Sequence, residues 1–308
     1  MRIAWLGTGL LGRPMAARLC AAGHAVFAWN RTREKMSPLR EVGATIAGTP
    51  AEAVAHADCV CLMLRDAAAI ASVLFPGTGA PELGGRNVIQ MGTIGPRESI
   101  DLAARVRDRG GEYLEAPVLG SIQEAENRRL IVMVGSTSQQ YARWRELLEC
   151  FGPEPLLIGP VGSAAALKLA LNQLIAGLTT VFAFSLGFVR RSGLDVETFM
   201  RILRQSALYA PTFDKKMQRM LSRDFTSPNF PVEHLIKDVR LVRTEGESLG
   251  LASETLSAIE TILERAIALG HARSDYSALY EAVDSPSGKD PASGRDPLDG
   301  RSRRSHPA

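Results

Sequence analysis

The sequence is poor in residues that staple a chain, ligate a metal or anchor a protein to a charged polymer. Among 308 residues there are four cysteines and five histidines. Cys20, Cys59, Cys61 and Cys150 form no CxxC pair and fall in apolar stretches. They predict reduced core thiols in a cytoplasmic protein rather than a disulfide framework. The histidines are scattered without zinc-type spacing, so no metal is expected. The formal net charge is only +3, and no long basic run precedes the last few residues. Charge therefore gives no reason to expect a nucleic-acid partner. The N-terminus lacks a signal-peptide pattern, because Met1-Arg2 leads straight into the strand-like Ile3-Ala4-Trp5-Leu6. One uncharged run, residues 169–189, is long enough to span a membrane. Asn172, Gln173, Thr179, Thr180 and Ser185 interrupt it and no second such run exists, so no membrane partner is expected.

What is present begins with a nucleotide-binding pattern. Residues 2–6 are a short apolar run ending in Gly7-Thr8-Gly9-Leu10-Leu11-Gly12; a helical pattern follows to Gly23, then a second strand, Ala25-Val26-Phe27-Ala28-Trp29. Strand, GxGxxG, helix and strand in this order read as a dinucleotide cradle. Gly7 permits the tight turn, Gly9 admits a pyrophosphate, and Gly12 lets the helix pack closely. The helix N-terminus offers free N–H groups and a positive dipole end to the phosphates. After the second strand stand Asn30, Arg31 and Thr32, with Lys35 one turn on, in place of the carboxylate that holds the ribose diol of NAD. Arg31 can bind a 2′-phosphate bidentately, so NADP(H) is favoured over NAD. Further apolar strands are expected over residues 59–64, 88–91, 112–118 and 130–134, with helical segments between, giving a doubly wound parallel sheet. Met63, Leu64 and Thr93 fall at strand carboxyl ends and are candidates to line the nicotinamide-ribose side.

The rest of the chain is organised around one long helix that starts at Gly162-Ser163 and runs apolar to Phe188-Val189, with Gly193 placed to end it. Ser163 is expected to cap its start. Lys168 and Asn172 stand four apart on one face of its first turns. An ammonium opening an apolar helix needs a reason, since burying it unpaired is costly. Helical patterns then cover residues 196–205, 212–221, 232–249 and 254–269. Lys237 lies in the third of these, four residues after Glu233, with which it can pair on its own helix. Residues 284–308 are rich in Ser, Gly, Pro, Asp and Arg and read as a disordered tail.

Taken in order, four elements resemble the β-hydroxyacid dehydrogenase family, in its 3-hydroxyisobutyrate dehydrogenase-like group. They are the Gly7–Ala16 loop, Glu115-Ala116-Pro117-Val118-Leu119-Gly120-Ser121, Gly159-Pro160-Val161-Gly162 leading to Lys168 and Asn172, and Lys237-Asp238. Asn30-Arg31-Thr32 with Lys35, and Gly120-Ser121 followed by Glu124-Ala125-Glu126, are similar to the glyoxylate and succinic-semialdehyde reductase branch. The resemblance implies that Lys168 is the catalytic group, that Asn172 bonds the substrate or orients Lys168, and that Lys237 contacts the cofactor. The chemistry agrees, because an ammonium beside a carbonyl stabilises the charge that hydride attack creates and can deliver the proton. Leu119, Gly120 and Ser121 would bind substrate, with the loop N–H groups and the Ser121 hydroxyl holding a carboxylate. Two departures stand out: Leu119 replaces a serine usual in the family, and Arg128 replaces a glycine.

The expectation is an N-terminal Rossmann-type domain over residues 1–162, an all-helical substrate and oligomerisation domain over 163–283, and the tail. The activity expected is NADP-dependent hydride transfer to or from a small aldehyde or keto acid, such as glyoxylate or succinic semialdehyde, with Lys168 as general acid and base. The alternatives are an imine reductase, disfavoured by Lys168, and a non-catalytic NADP-binding interaction module. Uncovered apolar faces in the helical half predict a homodimer or homotetramer.

Overall fold

The computed structural model describes residues 1–285. Among these, nine strands form one sheet. They are β1 (Arg2–Leu6), β2 (Ala25–Trp29), β3 (Thr45–Ile46), β4 (Cys59–Leu62), β5 (Asn87–Gln90), β6 (Glu112–Glu115), β7 (Val118–Leu119), β8 (Ile131–Gly135) and β9 (Leu156–Gly159). The order β3-β2-β1-β4-β5-β6 is parallel throughout, with β1 at the point where the winding reverses. Along β1, Ile3 and Trp5 enter one apolar core while Ala4 and Leu6 enter another. Both faces of the sheet are thus buried, which is why its central strands are nearly all apolar. Helices α1 (Gly12–Ala21), α2 (Ser37–Glu41), α3 (Pro50–Ala55), α4 (Ala67–Leu74), α5 (Pro96–Asp108), α6 (Ile122–Glu126) and α7 (Ser138–Leu148) belong to this half.

The parallel expectation fails at the far edge. β8 runs antiparallel to β6 and to β7, and β9 rejoins it in parallel. The single strand expected over residues 112–118 is two strands, broken at Ala116-Pro117. Pro117 has no N–H for the ladder, and its carbonyl accepts instead from Met133. The short β3 and the whole of β9 had no counterpart in the sequence reading, the first being two residues long and the second carrying Leu156 and Leu157 on the surface.

The second half is helical: α8 (Ser163–Arg191), α9 (Val196–Arg204), α10 (Pro211–Ser222), α11 (Val232–Ser248), α12 (Glu254–Ala266) and α13 (Leu279–Val283). α8 is long and apolar enough to cross a membrane by length and composition. Thirteen of its residues are nevertheless buried, and Ala176, Phe182, Ala183 and Leu186 lie in a core shared with the other helices of this half. Gly193 follows its end with φ 72°, as expected. Its start differs from expectation. Gly162, at φ 100°, is the cap residue, and Ser163 is the first helical residue and makes no cap bond. The folded part also continues past the expected boundary at 283, since Asp284 is buried against Tyr280, Arg191 and Arg223. The rest of the expected tail, residues 286–308, lies outside the described residues.

Candidate active site

The dinucleotide loop leaves β1 with Gly7 at φ 107°, a left-handed conformation that favours glycine. A Cβ at Gly7 would lie 2.3 Å from the Met63 carbonyl oxygen, and one at Gly12 would lie 2.1 Å from the Gly7 carbonyl. Gly12 therefore packs the helix onto the turn itself. A Cβ at Gly9 would meet nothing within 4 Å. Open space at the middle glycine is what an approaching phosphate needs. No side chain caps the start of α1, and the buried Thr8 hydroxyl in the loop has no hydrogen-bond partner. Uncapped N–H groups and an orphaned hydroxyl fit a pyrophosphate well.

Asn30 serves the loop rather than standing free. Its Oδ1 accepts from the Thr8 N–H at 3.0 Å and its Nδ2 donates to the Thr32 carbonyl at 2.9 Å. Arg31, Thr32 and Lys35 are exposed just beyond β2. Among the described residues the Arg31 and Lys35 side chains have no charged or hydrogen-bonding partner, so both cations are available to an anion. Leu10 and Leu11 fill the loop between the glycines, and Leu10 is exposed. Met63 and Leu64 back the Gly7 turn, and a Cβ at Gly92, beside Thr93, would lie 2.4 Å from the Leu64 carbonyl oxygen. Three strand ends thus converge closely on one edge, where a doubly wound sheet binds its ligand.

Lys168 and Asn172 lie on the buried face of α8, with Lys168 only 8% exposed. Burial pulls the Lys168 ammonium down to a pKa of about 8; the nearby Asp238 carboxylate opposes the shift and Lys237 adds to it. Among the described residues no hydrogen bond reaches Lys168 Nζ. Asn172 Nδ2 donates to Asp238 Oδ2 at 2.6 Å, while Asn172 Oδ1 is buried without a partner. Lys237 Nζ lies 2.6 Å from Asp238 Oδ1 and donates to the Thr93 carbonyl at 2.7 Å. Lys237 thus reaches across to the strand ends of the first half instead of pairing with Glu233. Four of the residues singled out in the sequence, Thr93, Lys168, Asn172 and Lys237, form one group around Asp238. An ammonium without a fixed partner and an amide oxygen without a donor can together hold a carbonyl or hydroxyl oxygen and move its proton.

The expected substrate loop is built differently. Leu119 ends β7 half-buried, and Gly120 follows at φ 141°. Ser121 caps α6 in a capping box, donating its N–H to Glu124 Oε2 at 2.7 Å and its hydroxyl to the same oxygen. No hydrogen bond or ion pair joins Leu119, Gly120 or Ser121 to the Lys168 group among the described residues. Arg128 adopts the left-handed conformation itself, at φ 54°, and its Nε donates to the Glu149 carbonyl at 3.0 Å. The turn that a glycine would make is therefore kept, with some backbone strain.

Two residues with a part in this geometry went unread in the sequence. Asp238 carries no sequence signal beyond its place after Lys237, yet it bonds Lys237 and Asn172 and acts electrostatically on Lys168. Glu115, fully buried at the end of β6, accepts the N–H groups of Gly162, Ala164 and Ala165 at 2.9, 2.8 and 3.1 Å. It is the cap that Ser163 was expected to be. Its other oxygen accepts from Ser99, which bonds Tyr113 at 2.8 Å. Burial pushes the Glu115 carboxyl up, opposed by these hydrogen bonds. Gly135 makes room for it, because a Cβ there would lie 2.3 Å from Glu115 Oε1. A carboxylate ending a strand just before Ala-Pro was the only local signal.

Comparison with known proteins matches two family models end to end. Residues 2–159 match the NAD binding domain of 6-phosphogluconate dehydrogenase, and residues 162–283 match the corresponding domain of NADP-dependent 3-hydroxyisobutyrate dehydrogenase. Glyoxylate/succinic semialdehyde reductase 2 of Arabidopsis thaliana, a chloroplastic protein, is 30% identical, over 94% of this chain and 81% of that one. Glyoxylate/succinic semialdehyde reductase 1 of the same plant is 30% identical, over 92% of this chain and 98% of that one. Among solved structures, a 3-hydroxyisobutyrate dehydrogenase from Mycobacterium tuberculosis with L-serine is 24% identical with a TM-score of 0.80, over 91% of this chain and 98% of that one.

Proposed function

Since this chain belongs to the NAD(P)-dependent β-hydroxyacid dehydrogenase family, in its 3-hydroxyisobutyrate dehydrogenase-like group, we propose that it is an NADP-dependent reductase of small aldehydes or keto acids, running in reverse as a hydroxy-acid dehydrogenase. The names of its plant relatives make glyoxylate and succinic semialdehyde the first substrates to test. The observation that carries the reading is the buried, hydrogen-bond-free ammonium of Lys168 beside the partnerless Asn172 Oδ1.

When bound, NADPH supplies the hydride. Gly7, Gly9, Leu10, Leu11 and Gly12 hold the pyrophosphate on the N-terminus of α1. Arg31, Thr32 and Lys35 take the 2′-phosphate, which the free cations support. Met63, Leu64 and Thr93 line the ribose and nicotinamide side, and Lys237 fixes Thr93 from the helical domain. Lys168 Nζ holds the carbonyl oxygen as negative charge builds and then gives it a proton. A pKa of about 8 suits this work, since both protonation states are populated near neutral pH. Asn172 Oδ1 accepts from the substrate hydroxyl or from Lys168, with its amide held in place by Asp238. Leu119, Gly120 and Ser121 form the remaining wall of the substrate pocket. The four free cysteines support a reducing, cytoplasmic setting.

The working unit is a homo-oligomer paired through α8. Leu167, Leu174, Val181, Phe184 and Phe188 are 37% to 66% exposed on that helix. With Ala170 and Gly177 between them they repeat at alternating intervals of three and four, the spacing of a seam that meets a second helix. An antiparallel copy centred beside Gly177 sets Ala170 against Phe184, Leu167 against Phe188 and Leu174 against Val181. Ala170 makes room for Phe184, and each pair occurs twice with the partners exchanged, as an isologous interface requires. The exposed fractions equal nearly three whole side chains of this size, or roughly 500 Å² per protomer, most of what a stable interface buries. Val181→Asp with Phe184→Arg should leave a folded chain that elutes as a monomer; an unchanged mass by light scattering overturns the pairing.

NADPH oxidation should be followed against glyoxylate, succinic semialdehyde, methylmalonate semialdehyde, a hydrophobic aldehyde and a cyclic imine. Turnover of a carbonyl compound by the wild type, abolished in Lys168→Ala with NADPH affinity retained, is the expected result. Turnover of the imine alone makes the chain an imine reductase. Tight NADPH binding with no turnover of any compound makes it a binding module.

A further inference from the structure

The loop assigned to substrate carboxylates already holds one. Ser121 has two donors to offer, its N–H and its hydroxyl, and both end on Glu124 Oε2. The contact is built into the loop. Gly120, at φ 141°, has no Cβ, and one placed there would lie 2.9 Å from Glu124 Cβ and 2.6 Å from Leu130 Cδ2. Only glycine lets Glu124 fold back over the turn without strain. The helix that carries Glu124 is anchored on the cofactor side, since Ala125 is buried in the same core as Met15 and Ala16 of α1. From the helical domain Lys215 of α10 acts on the Glu124 carboxylate electrostatically. The Glu124 carboxylate is thus within electrostatic reach of a cation of the helical domain. The hydrogen bonds from the Ser121 hydroxyl and N–H hold its carboxyl below the ordinary range, with Lys215 assisting, so it is an anion at neutral pH.

We propose that Glu124 is a resident carboxylate in the substrate pocket, which a carbonyl acid must displace from Ser121 and a neutral carbonyl compound need not, so that this enzyme favours uncharged aldehydes and ketones over carbonyl acids of the same size. The proposal rests on the reading that Ser121 lines the pocket. Its physical basis is exchange without gain. A substrate carboxylate at Ser121 receives two charge-assisted hydrogen bonds, but Glu124 gives up the same two. Two carboxylates cannot share the donors, because like charges at that distance repel. The displaced anion remains on the same short helix, where Lys215 still acts on it electrostatically. Leu119, apolar and half-buried at the head of the same loop, adds no compensating donor.

Glu124→Gln separates charge from structure. Glutamine completes a capping box as glutamate does, so α6 keeps its cap while the pocket loses a negative charge. The assay is NADPH oxidation with succinic semialdehyde and with its methyl ester, in wild type, Glu124→Gln and Ser121→Ala. The wild type should prefer the ester. In Glu124→Gln the acid-to-ester ratio of kcat/KM should rise about tenfold, through KM for the acid. An unchanged ratio in Glu124→Gln, with acid turnover reduced in Ser121→Ala, keeps Ser121 in the pocket and overturns the role of Glu124. If neither variant changes either substrate, Ser121 does not line the pocket, and the reading and the proposal fall together.

Discussion

Lys168→Met should destroy turnover and at the same time make the protein more stable. The ammonium is buried on α8 with no hydrogen bond, and its pKa falls from the ordinary 10.5 to about 8. At about 1.36 kcal/mol per unit, holding that charge costs the folded state about 3 kcal/mol at neutral pH. Methionine keeps the length and the stem packing while removing the charge. Asp238 retains Lys237 and Asn172 as partners, so no buried carboxylate is orphaned. For a chain of this size each kcal/mol moves Tm by roughly 2 °C, so a rise of about 5 °C is the upper expectation at pH 7. The pH dependence is the sharper test. A lysine whose folded pKa is depressed costs stability fully below that pKa, and the cost vanishes once the unfolded chain also deprotonates. Wild type should therefore gain on the variant as pH rises from about 8 to 10.5, and the two should converge above that window. Thermal unfolding at pH 7, 9 and 10.5, with the same buffer ions, measures this. A variant less stable than wild type at pH 7, or a gap that does not narrow with pH, would refute the account of Lys168 as a desolvated cation.

The same titration should appear in catalysis: carbonyl reduction needs the protonated amine and should fall above pH of about 8, while hydroxy-acid oxidation should rise across it. Steady-state profiles in both directions check this, and the absence of a limb near that value removes Lys168 as the proton donor. Arg31→Ala should raise KM for NADPH by about tenfold to a hundredfold, the worth of a charged hydrogen bond, and leave NADH nearly unaffected; equal losses for the two cofactors would show that Arg31 does not read the 2′-phosphate. Asp284→Ala should cost roughly 1–2 kcal/mol, because Arg191 and the Tyr280 hydroxyl lose a charged partner while Arg223 keeps Glu281 and Tyr280 keeps Arg190. Burial pushes that carboxyl up, but Tyr280 and Arg191 more than offset it, so the difference from wild type should be largest near neutral pH and shrink in acid. A difference that persists in acid would mean that the loss comes from packing alone.

What could be read in the chain was what is local. The GxGxxG turn, the two strands around it and the periodic helices are set by neighbours within a few residues, so most of their limits fell within one or two positions of those observed, the end of α12 at Ala266 being three short of the expected 269. Gly7 and Gly12 were legible because a turn and a close helix approach require glycine wherever they occur. Lys168 with Asn172 was legible because four residues separate them on one helix. Ser121 and Glu124 stand at a capping-box spacing, a serine followed three residues later by glutamate, which the family resemblance overshadowed. Residue type alone did not reveal that the box occupies both Ser121 donors.

The rest depended on contacts between distant segments. Glu115 caps a helix that begins 48 positions later, and nothing local distinguishes it from any strand-end carboxylate. Asp238 meets Asn172 across 66 positions and Lys237 meets the Thr93 carbonyl across 144. The direction of β8 was set by the distant strands it pairs with, β6 and β7, and not by its own residues. The depth of Lys168, and with it the pKa that suits it to proton transfer, is a property of α8 packed among its neighbours. The order of residues sets which groups are present and how they repeat along each element. Packing in three dimensions sets which groups lose water and which charges face one another, because desolvation and Coulomb interactions depend on distance in space and not on distance along the chain.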